Sequence, residues 1–237
     1  MANPTAREQE LLELINRMRT MPSAELALLL DSSDQGIKDA LTYFKVDRSI
    51  LKDQWSKLKA VAPLAWSNQL NDSAAAHDQT MIKYDEQSHH VGAVSDSSGK
   101  VISDKGYEPD LAGRITAAKY EYTSGRENIY AYATSIIYAH AGFAIDWGND
   151  ANSVGGIQNP AGHRDEMMAA DIREAGISIA DESDANTKVG PLVVTEDFGN
   201  RAALTGKAWL LGVAFQDANQ DSWYEAGEGL KDVQNLQ

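Results

Sequence analysis

The hydrophobic period changes along this chain, and that change restricts the folds open to it. Over residues 5–59 the apolar residues recur at helical spacing, with Leu11, Leu12, Leu14, Ile15 and Met18 as the first stripe. Thr5 and Glu8 have the spacing of a capping box. Pro22-Ser23 stops that helix and starts another over 24–30. A polar turn at 31–36 leads into 37–44, and Asp47 is placed to cap 50–58. Ser67 opens a longer helix with the stripe Leu70, Ala74, His77, Met81 and Tyr84. Residues 85–105, rich in Ser, Asp, Gly and His, read as a loop, and 110–119 as a short helix. The pattern is β-prone over 120–132, around Ser124-Gly125. Ser135, or Thr134 before it, then caps a helix with Ile136, His140, Phe143 and Trp147 on one face, and a short helix follows over 161–169. Strand patterns come last, at 175–180, 192–198 and 209–215. Helices first and strands last predict an α+β fold, with helices layered on an antiparallel sheet.

The chain contains no cysteine. Disulfides, thiolate metal sites and thiol nucleophiles are therefore excluded, and stability must come from core burial and bound ions. Acidic residues number 35 against 21 basic ones, a net charge of −14. Such a surface repels phosphate backbones, so no nucleic acid partner is expected, and it suits divalent cations. No apolar run reaches the ~18 residues of a membrane helix, so no membrane span is expected. The stretch from Met1 to Arg7 is too short and polar for a signal peptide, so any signal is expected to be missing from this sequence. There is no Gly-x-Ser-x-Gly elbow, no P-loop and no His-Glu-x-x-His.

The chain has five histidines. Two of them, His89 and His163, combine with Glu127 and Asp146 into a candidate site. Imidazoles and carboxylates are zinc ligands where thiolates are lacking, and they also serve as general bases with electrostatic partners. Spacing alone does not bring these four together, and each is equally readable as a polar residue satisfied locally. His77 and His140 lie on apolar helix faces and are expected in the core, His140 there or just behind the site.

Glu127-Asn128-Ile129, then Gly162-His163-Arg164, then Gly176-Ile177-Ser178-Ile179-Ala180 resemble the bacterial branch of the CAP superfamily. This superfamily is also called SCP/TAPS, after cysteine-rich secretory proteins, antigen 5 and pathogenesis-related 1. Asn16-Arg17, Pro63-Leu64-Ala65-Trp66, Gln87-Ser88-His89 and Val194-Thr195-Glu196-Asp197-Phe198-Gly199 extend the resemblance to about residues 8–199. It implies a three-layer α-β-α sandwich with extra N-terminal helices. Residues 1–62 would pack as a helical part on the CAP core at 63–199, and 200–237 would hold a linker, a strand and the start of another module.

The resemblance also implies a central cleft with two histidines and two acids: His89, Glu127, His163 and, as the second acid, Asp146. His90 is the alternative to His89. Asp146 keeps the family's spacing from Phe143 but is one methylene shorter than the usual Glu. Arg126 stands where the family has Gly. Arg164 is expected to bind carboxylates or helix-end carbonyls. The implied protein is secreted or on the cell surface. Its cleft would bind zinc or another divalent ion and a small-molecule or lipid ligand, and it is a binding module rather than an enzyme. The alternatives are a metal-dependent hydrolase with Glu127 as base, and a calcium-stabilised surface or adhesion protein. The oligomeric state is not legible.

A second constellation lies near the C-terminus. Asp217, Asn219, Asp221, Glu225 and Glu228 fall at positions 1, 3, 5, 9 and 12 of an EF-hand loop, with the carbonyl of Trp223 at position 7. Ser222 takes the place of the usual Gly, and no helix precedes the loop. It is similar to the EF-hand-like loops of repeat modules in bacterial surface proteins and is expected to bind calcium. The other reading is a solvated acidic turn. The module is expected to be truncated nine residues after Glu228.

Overall fold

Helix α1 (Ala6–Thr20) begins with the capping box that its sequence predicts. The Thr5 side chain accepts from the Glu8 amide, and Glu8 accepts from the Thr5 amide at 2.7 Å. The structure is a computed structural model and describes residues 3–230, apart from the side chain of Leu204. Residues 1–2 and 231–237, the ends of the segments 1–62 and 200–237, lie outside it. Helices α2 (Pro22–Leu30), α3 (Gln35–Tyr43) and α4 (Arg48–Trp55) follow, with Asp34 and Asp47 as caps of the last two. After strand β1 (Ala65–Trp66), Ser67 caps α5 (Asn68–Tyr84) by accepting from the Leu70 amide.

The expected loop at 85–105 contains a hairpin, β2 (Ala93–Ser95) and β3 (Val101–Asp104). The residues that read as loop build its turn. Asp96 accepts from the amides of Ser98 and Lys100, at 2.9 and 3.2 Å, and Gly99 takes φ +81°. Helix α6 (Leu111–Ala117) and strand β4 (Ser124–Ala133) come next, then α7 (Ile136–Ala141), α8 (Gly162–Met167), β5 (Glu174–Asp181) and β6 (Leu192–Asn200).

The main sheet has the order β1-β5-β6-β4, parallel only between β1 and β5. Helices α5 and α6 pack on one face, and α1, α7 and α8 on the other. The result is the three-layer α-β-α sandwich. The larger core fills the α1 side, where Leu11, Ile15, Trp55, Phe143, Ile177 and Phe198 are buried together. A smaller one, with Met81, Val91, Ile129 and Val193, lies under α5.

The expected strand at 209–215 does not form. Leu210 is fully exposed, and among the described residues a single bridge, Phe215 with Gly229, closes the tail loop. β-propensity measures fit to a half-buried sheet surface, and among the described residues no strand lies beside this segment to provide one. The tail instead folds back on α1. The Ala226 amide donates to Glu10 at 3.0 Å, and the Arg17 guanidinium lies 5.0 Å from the Trp223 ring.

Candidate functional site

Strand β4 is at the edge of the sheet, and its side chains alternate between the two layers. Glu127 points to α5 and α6. Its Oε1 is 2.9 Å from His89 Nδ1, its Oε2 pairs with Arg114 of α6, and His77 Nε2 of α5 is 3.9 Å away. An ionised carboxylate only accepts, so His89 Nδ1 carries a proton, and in the neutral imidazole the lone pair is on Nε2. Burial pushes the Glu127 pKa up. The His89 hydrogen bond and the charges of His77 and Arg114 outweigh it and hold the group below its ordinary range. Glu108 supports the arrangement from behind, accepting from His77 Nδ1 at 2.9 Å and from the Val91 amide at 2.7 Å.

Glu127 is paired across the sheet with Asp197 of β6. Burial, and next the charge of Glu127, raises Asp197 well above the ordinary range. Asp78 of α5, which accepts from the Thr195 hydroxyl at 2.6 Å, is also raised by burial. Asn128 points to the other layer. Its amide donates to Glu196 at 3.0 Å and to the His163 carbonyl at 3.1 Å, and burial pushes Glu196 up to about 8.

The second acid–imidazole pair sits on that other layer. A helix was expected to run through Trp147, but α7 ends at Ala141 and continues as a π turn, Gly142–Asp146. Asp146 closes the turn at φ +58°, a left-handed conformation unfavourable for a residue with a side chain. From there both its oxygens reach His163, Oδ1 to Nδ1 at 2.8 Å and Oδ2 to the amide at 2.9 Å. Arg164 donates to the carbonyls of Ala144 and Ile145, at 3.3 and 3.1 Å, and so clamps the end of the turn.

The four candidate residues therefore form two pairs, His89 with Glu127 and His163 with Asp146, which approach β4 from opposite layers. A groove of ≈ 570 Å³ runs along the β4 edge past His89, Glu127 and Glu166. Among the described residues, no three His, Asp or Glu side chains are grouped so as to hold a metal ion. His90 turns away to the Glu108 carbonyl at 3.0 Å. Arg126 also turns away, to Glu166 at 2.7 Å and Asp171 at 3.0 Å. The cation beside Glu127 is Arg114. His140 is buried with its Nε2 2.8 Å from Glu25, which also binds Arg17. Sequence reasoning missed Glu108, Arg114 and Asp197. Only Asp197 left a trace, inside the quoted β6 motif.

In the tail, the carboxylates bond the loop's own amides. Asp217 accepts from Asp221 and Ser222, at 3.1 and 3.0 Å, and Glu228 accepts from Ala218 and Glu225, at 2.9 and 3.1 Å. The Asn219 amide bridges Asp221 and Glu225 at 3.2 and 2.9 Å. The Trp223 amide donates to Asp221 at 2.8 Å. Ser222 takes φ +70° at the usual glycine position.

Three solved structures are similar to this chain at low identity. An extracellular protein containing an SCP domain from Bacillus anthracis str. Ames is 18% identical, with 69% of this chain and 40% of that one covered and a TM-score of 0.39. An outer surface protein of Borrelia burgdorferi is 12% identical, covering 72% and 96%, with a TM-score of 0.40. A venom allergen-like protein of Schistosoma mansoni is 15% identical, covering 70% and 88%, with a TM-score of 0.34. This chain thus spans less than half the length of the Bacillus protein. No curated protein sequence matches it. The profile of the cysteine-rich secretory protein family, CAP, matches residues 12–198, which is most of the sequence. Although it lacks cysteine altogether, the chain belongs to the CAP family.

Proposed function

We propose that this protein is a secreted or cell-surface binding module that holds a divalent transition ion, zinc or a similar metal, at the β4 edge, through His89 of the groove and His163 from the opposite layer. One observation carries this reading. Each imidazole gives its Nδ1 to a buried carboxylate, at 2.9 Å for Glu127 and 2.8 Å for Asp146. That pairing fixes the tautomer and leaves Nε2 as the donor to a metal. The donor set fits two imidazole ligands, with Glu127 and Asp146 behind them and water in the remaining positions. Such a site is open and weak. A bound ion would supply a Lewis acid for an oxygen of a small-molecule or lipid ligand. The alternative, a metal-dependent hydrolase with Glu127 as base, has less support, because Glu127 is held by Arg114 and His89 with its pKa below the ordinary range.

Calorimetry with Zn²⁺ is expected to show binding that weakens by more than about tenfold in both His89→Ala and His163→Ala. No heat with the native protein, or equal affinity in all three, would remove the metal from this reading. Turnover of a peptide or ester panel, lost in Glu127→Gln, would favour the hydrolase.

We also propose calcium for the tail loop of Asp217, Asn219, Asp221, Glu225 and Glu228, with the Trp223 carbonyl. Burial, and next the charges of Asp221, Glu228 and Asp217, pushes Glu225 up. A cation relieves that repulsion. It would displace the Asn219 amide from Asp221 and Glu225, and it would stabilise the tail against α1 as a surface or adhesion protein requires. Trp223 fluorescence is expected to saturate with a Kd of about 10⁻⁴ to 10⁻³ M, the extracellular range, and to lose its response in Asp217→Ala and Glu228→Gln. A response that survives both changes would move the ion elsewhere, and silence up to several millimolar would leave a plain acidic turn.

A further inference from the structure

A second groove, of ≈ 730 Å³, lies at the far end of β4, bordered by α3 and the segment after the π turn. Its size falls in the small-ligand range of roughly 300–1,000 Å³. Six aromatic side chains line it: Tyr43, Phe44, Tyr130, Tyr132, Tyr138 and Trp147. The inner rings fix one another. Phe44 and Trp147 lie within 10° of parallel with centroids 6.1 Å apart, and Tyr138 is 5.3 Å from Trp147 and 6.0 Å from Tyr130. The outer rings are open to solvent, Tyr43 at 71% and Tyr132 at 52% exposure. Tyr132 sits where the β4–β6 register breaks, at φ +69°. A bulky residue rarely takes this conformation, and a bulge on an edge strand re-aims the side chain it carries. The chain thus holds a tyrosine in a strained backbone position and leaves its ring largely exposed.

Charge identifies the ligand class. An aromatic face attracts cations through its quadrupole. Elsewhere the protein places its own cations over such faces: Lys83 over Tyr84 at 4.9 Å, Lys105 over Tyr107 at 5.5 Å, Arg201 over Tyr120 at 5.1 Å and Arg17 over Trp223 at 5.0 Å. Among the described residues, none of the six groove rings is covered in this way. Among the described residues, the one charged side chain in the lining is Asp39, whose Oδ1 accepts from Gln35 at 2.7 Å. An acidic rim on a protein of net charge −14 disfavours anions and attracts cations. A quaternary ammonium has no N–H to lose to water and is the cation that aromatic enclosures select. We infer that this groove binds a small quaternary ammonium compound of the choline type, with its head against Tyr43 and Tyr132 and its charge facing Asp39. The site is independent of the His89–Glu127 groove and of any metal there.

The test is saturation-transfer NMR and calorimetry with choline, run beside its neutral tert-butyl isostere, in which carbon replaces nitrogen. Choline is expected to bind saturably and the isostere at least about tenfold more weakly. Tyr43→Ala and Tyr132→Gly are each expected to weaken choline by about 2- to 30-fold, and Asp39→Asn to weaken it without affecting the isostere. The two tyrosine changes are surface substitutions, and glycine suits the backbone of Tyr132, so the variants should fold; circular dichroism checks this. Equal binding of choline and isostere would show a merely apolar groove. Choline binding untouched by both tyrosine changes, or no binding, would overturn the assignment. Capture on phosphatidylcholine vesicles without binding of free choline would overturn it in favour of a membrane surface.

Discussion

The folded chain is expected to lose stability as pH rises from about 4.5 to about 8, and Glu196 is expected to account for much of the loss. Glu196 is fully buried, with one oxygen bonded to Asn128 and the other without a partner among the described residues. Burial moves its pKa from 4.5 to about 8. Asp78 and Asp197 are raised well above 3.8, also by burial. Between the unfolded and folded values the native state binds more protons than the unfolded chain, so stability falls with rising pH. For Glu196 alone the upper limit is about 5 kcal/mol. On the acid side the sign reverses at Glu25. Burial opposes its ionisation, but His140 and Arg17 outweigh it and bring the carboxyl down to about 2. Its contribution is complete above its unfolded value of 4.5 and is lost as pH falls through about 2. Stability should therefore peak near pH 5. Urea unfolding across this range checks the curve, and Glu196→Gln isolates the cause. Repulsion within a chain of net charge −14 slopes the same way but is nearly unchanged by that substitution. Parallel curves for the native protein and the variant would show that Glu196 is not the source.

That pH response was not legible in the sequence, whereas most of the helices were. Caps and stripes are local, so Thr5, Asp34, Asp47 and Ser67 announce their helices within one turn. Strand pairing depends on partners. The β2–β3 hairpin is hidden because Asp96, Ser98 and Gly99 have the composition of a loop, and 209–215 has the composition of a strand although, among the described residues, no strand lies beside it. The candidate site divides in the same way. His89, Glu127 and His163 stand in short motifs that resemble the family's. Glu108 and Arg114 do not, and Asp197 stands in the β6 motif without being marked there as a site residue, because a buried charge looks like any surface charge until the tertiary fold covers it. The stripe of α5 marks His77 as a core residue, and it is buried, yet it links Glu108 to Glu127. The π turn that leaves Asp146 at φ +58° interrupts a helical pattern whose sequence marks the break with nothing stronger than Gly142, where the turn begins.

Gly176→Ala is expected to cost about 4 kcal/mol or more, or to prevent folding. Gly176 lies on β5, between β1 and β6, on the face that α5 covers. A Cβ there would stand 1.9 Å from the Asn71 amide nitrogen and 2.2 Å from the Leu70 carbonyl carbon. Both atoms are backbone, so no rotamer relieves the clash, and the start of α5 would have to lift off the sheet. That start is tied down on both sides of the clash. The Ser67 amide donates to the Ala175 carbonyl at 2.8 Å, and the Asn71 side chain donates to Ile177 at 2.6 Å. Overpacking between side chains typically costs about 1–3 kcal/mol, and a backbone clash leaves fewer ways to yield. Gly162→Ala is the matched control. Nothing lies within 4 Å of the Cβ it adds at the start of α8, so it should change stability by no more than about 0.5 kcal/mol. Urea unfolding of the pair measures the difference, and near-equal stabilities would mean that α5 does not approach β5 as closely as described. The effect should also reach the site. Helix α5 carries His77 and Asp78, and any Gly176→Ala protein that folds must shift His77 against Glu108 and Glu127. The His89 ring, held by Glu127, should then lose its fixed orientation, which the NMR titration curve of its ring protons would report even if the sheet stays intact.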